Sequence, residues 1–169
     1  MKKFIIPAAL FCLLSVNAFA QTMPDYSGEW ALDKNASKLS GKMANIESMT
    51  ITVTQRGSEL TAATVSKRVS FPQGSEEPVT YNLMGGEIKT DMNISNAAGT
   101  IKTRGRSEGG KLNLKAERNI KTQVGNYSVV TRETWELSAD GATLKIKRET
   151  ETPQDTMSAD MVFTKKAAK

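Results

Sequence analysis

The sequence predicts an all-β protein, an antiparallel up-and-down meander of about 8–10 strands that is closed or nearly closed on itself. Three observations predict it. From Tyr26 onward almost every segment alternates apolar and polar residues with period two, the pattern of a strand with one buried face. Short clusters of Gly, Ser and Asp separate these segments, and such clusters join antiparallel neighbours. No 11-residue window carries an apolar stripe of helical period.

Ten strands follow in order. The first covers 26–32, with Gly28 and Trp30. Residues 49–54 alternate Met49, Ile51 and Val53 with three threonines, and Gln55-Arg56-Gly57-Ser58 turns the chain into 59–66. Residues 71–78, with two prolines and Glu76-Glu77, read as a solvated loop before the strand 79–83. Gly85-Gly86 then leads into Ile88, Thr90, Met92 and Ile94. Strands at 100–106 and 111–120 flank Ser107-Glu108-Gly109-Gly110, and strands at 127–137 and 142–150 flank Ser138-Ala139-Asp140-Gly141. Residues 157–164 close the series. Only 33–39, with Asp33 as N-cap, suits a helical turn.

A meander of this size must curl or close to hide its edges and bury one face. A barrel is the simplest solution, and a two-sheet sandwich is the alternative. An outer-membrane barrel fits poorly. Lys102, Arg104 and Arg106 share one face, as do Lys145 and Lys147, where a lipid-facing wall would be apolar.

The N-terminus carries a different message. Met1-Lys2-Lys3, an apolar run over 4–16 and the small-x-small Ala18-Phe19-Ala20 have the form of a cleaved export signal. Residues 1–20 are expected to be removed, leaving 21–169 as one domain. A periplasmic or secreted bacterial destination follows. The only cysteine, Cys12, leaves with the signal, and the chain has no histidine. Disulfides, zinc-type sites and the commonest catalytic base are therefore all ruled out. Losing Lys2 and Lys3 leaves 21 cations against 18 acids, a net charge of +3 spread along the chain. No second apolar stretch approaches a membrane span of ~20 residues.

Gly28-Glu29-Trp30 resembles the opening Gly-x-Trp of lipocalins and related calycins. The wider run Tyr26-Ser27-Gly28-Glu29-Trp30-Ala31-Leu32-Asp33, with Ser37-Lys38 after it, resembles the start of a family of exported, lipocalin-like bacterial proteins of unknown function. Two further elements carry the likeness through most of 22–166. Ile51-Thr52-Val53-Thr54-Gln55-Arg56-Gly57 matches the family's Leu-Thr-Val-x-Gln-x-Gly hairpin, and residues 135–144 match Trp-x-Leu-Ser-x-Asp-Gly-x-Thr-Leu. The resemblance implies a lipocalin-like barrel in which Gly28 and Trp30 form a plug at the closed end. Ala36 departs from the family's Lys-Ser pair, and Lys165-Lys166 stands where lipocalins place an arginine against that Trp.

The hairpin 127–150 supplies the candidate site. A turn at Ser138 to Gly141 pairs Leu137 with Ala142, Trp135 with Leu144, Glu133 with Ile146 and Thr131 with Arg148. Glu133 and Arg148 are then diagonal neighbours on the inner face. The preceding strand repeats the pattern, with Leu112, Leu114 and Ala116 leading to Arg118. Two readings stay open. The charges form either a cavity contact for an anionic head group or an ion pair at a solvated rim. Tyr81 and Met92 are placed on the same interior, while Ala62, Ala116 and Thr64 leave some space.

Catalytic signatures are missing: no Gly-x-Ser-x-Gly elbow, phosphate-cradling Gly loop or metal cluster occurs. The basic residues at 102–115 lack the interleaved aromatics of a nucleic-acid surface. The expectation is a monomeric, exported, non-catalytic binding protein without cofactor or metal. Its ligand would be small and apolar or amphipathic, an anionic head group being one of the two readings left open. The candidate ligand-binding residues are Tyr81, Met92, Arg118, Thr131, Glu133, Trp135 and Arg148. The alternative is an envelope interaction module whose barrel is filled.

Overall fold

The computed structural model describes residues 23–94 and 97–167. The expected signal, residues 1–20, lies outside them. Eleven strands follow in chain order: β1 (Gly28–Lys38), β2 (Ile46–Arg56), β3 (Glu59–Arg68), β4 (Gly74–Ser75), β5 (Val79–Asn82), β6 (Ile88–Ile94), β7 (Ala97–Glu108), β8 (Lys111–Thr122), β9 (Gly125–Leu137), β10 (Thr143–Glu151) and β11 (Thr156–Lys165). They form one antiparallel sheet in the order β4-β3-β2-β1-β11-β10-β9-β8-β7-β6, with β5 also on β3. The period-two pattern is thus realised as an up-and-down meander. The additional strand is β4, two residues inside the expected 71–78 loop that pair with Val65 and Ser66.

The sheet curls back on itself. β1 pairs with both β2 and β11, so the first and last strands are neighbours. On the far side β5 comes against β7. Met84 bridges Arg106, the Gly85 amide donates to the Gly105 carbonyl at 2.9 Å, and the Thr103 hydroxyl donates to the Thr80 carbonyl. Gly105 allows this approach, since a Cβ there would lie 2.9 Å from Leu83 Cδ2 and 3.0 Å from Leu114 Cδ2. Closure is local. Among the described residues β4 and β6, the ends of the paired path, do not pair with each other.

The turns at 57–58, 109–110 and 138–142 mark one end of the barrel, where the core is dense. Tyr26, Trp30, Leu60, Leu112, Leu144 and Phe163 are fully buried there. The Trp30 indole N–H donates to the Tyr26 carbonyl at 2.9 Å, and the Lys165 ammonium sits 5.2 Å from the centre of its ring. This cation–π contact explains Gly28. Its φ of +138° disfavours any side chain, and a Cβ would stand 2.7 Å from Lys165 Cε. Lys165 thus covers one face of the Trp30 ring.

Two expectations are corrected. Residues 33–39 form no helical turn. The Asp33 carboxylate does accept from the Asn35 and Ala36 amides, as an N-cap would. The chain instead bulges and stays in β1, because Ser37 Oγ donates to the Asp33 carbonyl and accepts the Val162 amide across the sheet. A 3-10 turn comes later, at Gly41–Met43. The β9–β10 register also moves by two residues. Leu137 faces Leu144, Trp135 faces Ile146, Glu133 faces Arg148 and Thr131 faces Thr150. The Asp140 carboxylate accepts from the Ala142 amide and the Ser138 hydroxyl, which draws Ala142 into the turn. A shift of two preserves the faces.

Candidate functional site

Above the dense end the side chains no longer fill the barrel. A cavity of about 740 Å³ opens there, within the ~300–1,000 Å³ range of small-molecule sites. β2, β3, β6, β7, β8, β9, β10 and β11 all contribute walls. Segment 75–80 and Thr90 to Met92 flank it where β4 and β6 fail to pair.

Alternation along the strands decides what faces the cavity. On β8, Leu112, Leu114 and Ala116 are buried and Arg118 follows on the same face. On β9 the inner series is Trp135, Glu133, Thr131 and Val129. On β10 it is Leu144, Ile146, Arg148 and Thr150, and on β11 Phe163, Met161, Ala159 and Met157. Cross-strand pairing aligns these in layers. Leu112 stands beside Trp135, and Leu114, Glu133, Arg148 and Ala159 form the next row.

That row makes a polar floor. Arg148 Nε donates to Glu133 Oε1 at 2.5 Å, and the Trp135 indole N–H donates to Glu133 Oε2 at 2.8 Å. Both carboxylate oxygens are therefore engaged. The Glu133 and Arg148 side chains are only 7% and 18% exposed, so the solvated-rim reading of this pair is overturned. Trp135 is held from the other side by the edge-to-face contact with Tyr26, 6.0 Å between ring centres.

The electrostatics follow from this burial. Desolvation alone would lower the Arg148 guanidinium, yet the adjacent charge and hydrogen bond of Glu133, with help from Glu76 and Tyr81, hold it above its ordinary value. Burial pushes the Tyr81 phenol well above its usual range; the charge of Glu133 adds to this, while Arg118 and Arg148 act the other way. The Tyr81 phenol thus lies within reach of the charges of Glu133, Arg118 and Arg148.

All seven residues singled out from the sequence line this cavity: Tyr81, Met92, Arg118, Thr131, Glu133, Trp135 and Arg148. Gly28 and Trp30 belong to the plug beneath it. Others were missed. Met43, Met49 and Met157 bring thioethers to the wall, and Thr103 and Thr150 bring hydroxyls. Met49, Thr103, Thr150 and Met157 continue inward series already visible in the alternation. Nothing in the sequence pointed to Glu76, which lies in a loop and whose charge reaches Arg148 and Tyr81. Among the described residues no group of three or more Cys, Asp or Glu is placed to hold a metal ion.

Fold and cavity together define the class: an antiparallel up-and-down β-barrel with an internal chamber and a charged, hydrogen-bonded floor. No protein-family model matches the chain, and no curated protein matches its sequence. Among solved structures it is similar to zebrafish ileal bile acid-binding protein, crystallised with cholic acid. That likeness has 16% identity over 83% of this chain and 98% of the other, with a TM-score of 0.46. The fold assignment here rests on the strand pairing of the chain itself.

Proposed function

We propose that this protein is an exported, non-catalytic, monomeric carrier or sensor of a small amphipathic molecule, acting in the periplasm or outside the cell. It would be a member of the exported lipocalin-like bacterial family that its motifs resemble. One observation carries the reading: two arginines with guanidinium donors that meet no acceptor among the described residues line one chamber of about 740 Å³. Arg118 joins none of the salt bridges among the described residues. Arg148 spends only Nε on Glu133, which leaves its Nη groups for a ligand oxygen. Such groups inside walls of Met92, Ile101, Val129 and Ala62 suit a molecule with a polar head and an apolar body. A chamber of this size argues against the filled-barrel alternative.

Titration of the purified mature protein with Nile red, a neutral apolar dye, and with dodecanoate tests the reading. Saturable dye fluorescence and quenching of tryptophan emission are expected, and Trp135→Phe should remove most of the quenching while Trp30 remains. No saturable response to any apolar probe by the folded protein would refute it.

A further inference from the structure

Seven charged residues line the chamber; Arg68, Glu76, Glu77 and Asp91 are exposed, and the three that are not, Arg118, Glu133 and Arg148, sum to one positive charge. Arg148 is compensated at contact distance by Glu133, whose two oxygens are both occupied. Glu76, at the exposed wall, adds a second negative influence on Arg148. Arg118 stands four residues further along, paired across the strands with Val129 where Arg148 pairs with Glu133. It is part-buried and has no carboxylate within salt-bridge distance among the described residues.

We infer that Glu133 is the specificity-determining residue of the chamber, and that it selects amphiphiles with a single negative charge, held by Arg118, over dianionic ones. The inference rests on the proposed binding function and specifies its ligand class. The physics is direct. Placing one anion beside Arg118 completes a pair. Placing a dianion there leaves one charge uncompensated in a partly desolvated space, which is costly. Arg148 cannot supply the missing positive charge while Glu133 holds it. Without the Glu133 charge, the interior would carry two free cations and suit a dianion.

Equilibrium binding of three twelve-carbon probes at pH 8, read by displacement of Nile red, tests this. The probes are dodecanoate (one charge), dodecyl phosphate (close to two) and dodecanol (none). The wild-type protein should bind dodecanoate at least about tenfold more tightly than dodecyl phosphate. Arg118→Met should weaken dodecanoate by roughly 10- to 150-fold, the range of a charged hydrogen bond, and leave dodecanol within about threefold. Glu133→Gln should reverse the ratio in favour of the phosphate. Dodecyl phosphate binding the wild type as tightly as dodecanoate would overturn the inference. So would an unchanged ratio in a folded Glu133→Gln protein. If that variant does not fold, the wild-type ratio and Arg118→Met decide. Absence of Nile red binding to the wild type would instead refute the binding function itself.

Discussion

Glu133 accepts from a tryptophan and an arginine at once, so its removal orphans two buried donors rather than one. Breaking a buried pair from one side costs about 3–5 kcal/mol, whereas replacing both members with apolar residues is often near neutral. Glu133→Leu and Arg148→Leu should each destabilise by that amount in urea unfolding. The double variant should lose less than the sum of the two, the remainder being the Trp135 N–H left without its acceptor, and simple addition of the two losses would show that the pair is not coupled. Tyr81 gives a pH signature. Burial raises its folded-state value above the ordinary 10.0, so its contribution is complete below pH 10 and is lost as pH rises through the folded-state value. Stability should therefore fall above about pH 10, more gently in Tyr81→Phe; identical slopes would remove Tyr81 from the cause. Period-two alternation located these side chains correctly. It could not show that Glu133 and Arg148 lie well below the rim, because depth depends on how far the chain curls.

The hairpins show which local signals survive folding. Asp140-Gly141 was legible as a turn, but its length was not. The Asp140 side chain captures the Ala142 amide, and the loop gains two residues, both on the β10 side. Asp33 teaches the same lesson in reverse. A capping geometry formed, but cross-sheet hydrogen bonds at Ser37 kept the chain extended. The seam between β5 and β7 had no sequence signal beyond Gly105 inside an otherwise regular strand. Gly105→Val should press on Leu83, Leu114 and the Asn82 carbonyl and cost about 1–3 kcal/mol. Hydrogen exchange should quicken first at the Gly85 amide, which bonds across that seam. Protection lost evenly around the sheet would mean that the seam is not a separate unit.

Taken as a molecule, the barrel is a single curled sheet, and a domain of this size is expected to unfold in one step. Circular dichroism should show strand with little helix, and heating should give one cooperative transition. Two separated transitions would indicate independent halves. Export is a separate expectation. Intact mass of the secreted product should begin at Gln21, and a retained Met1 would refute cleavage after Ala20. The order of turns made the meander legible. Closure was legible only as a need to hide the sheet's edges; which residues meet at the β5–β7 seam was not, since pairings so far apart in sequence leave no local trace.

The pairing of β1 with β11 also governs when the fold can exist. Trp30 pairs with Lys165, and Lys165 covers its ring, so the first strand waits for nearly the last residues before the plug is complete. Contacts so remote slow folding. A chain threading a membrane from its N-terminus would thus stay unfolded until β11 emerges, as passage requires. Because the two ends are neighbours, a short linker joining them should permit circular permutation, with new ends opened at the exposed 123–124 turn. Such a permutant would complete its plug early in synthesis. It should keep the Nile red response when refolded in vitro and refold faster than the natural order, since the linkage that stabilises the barrel is then local in sequence.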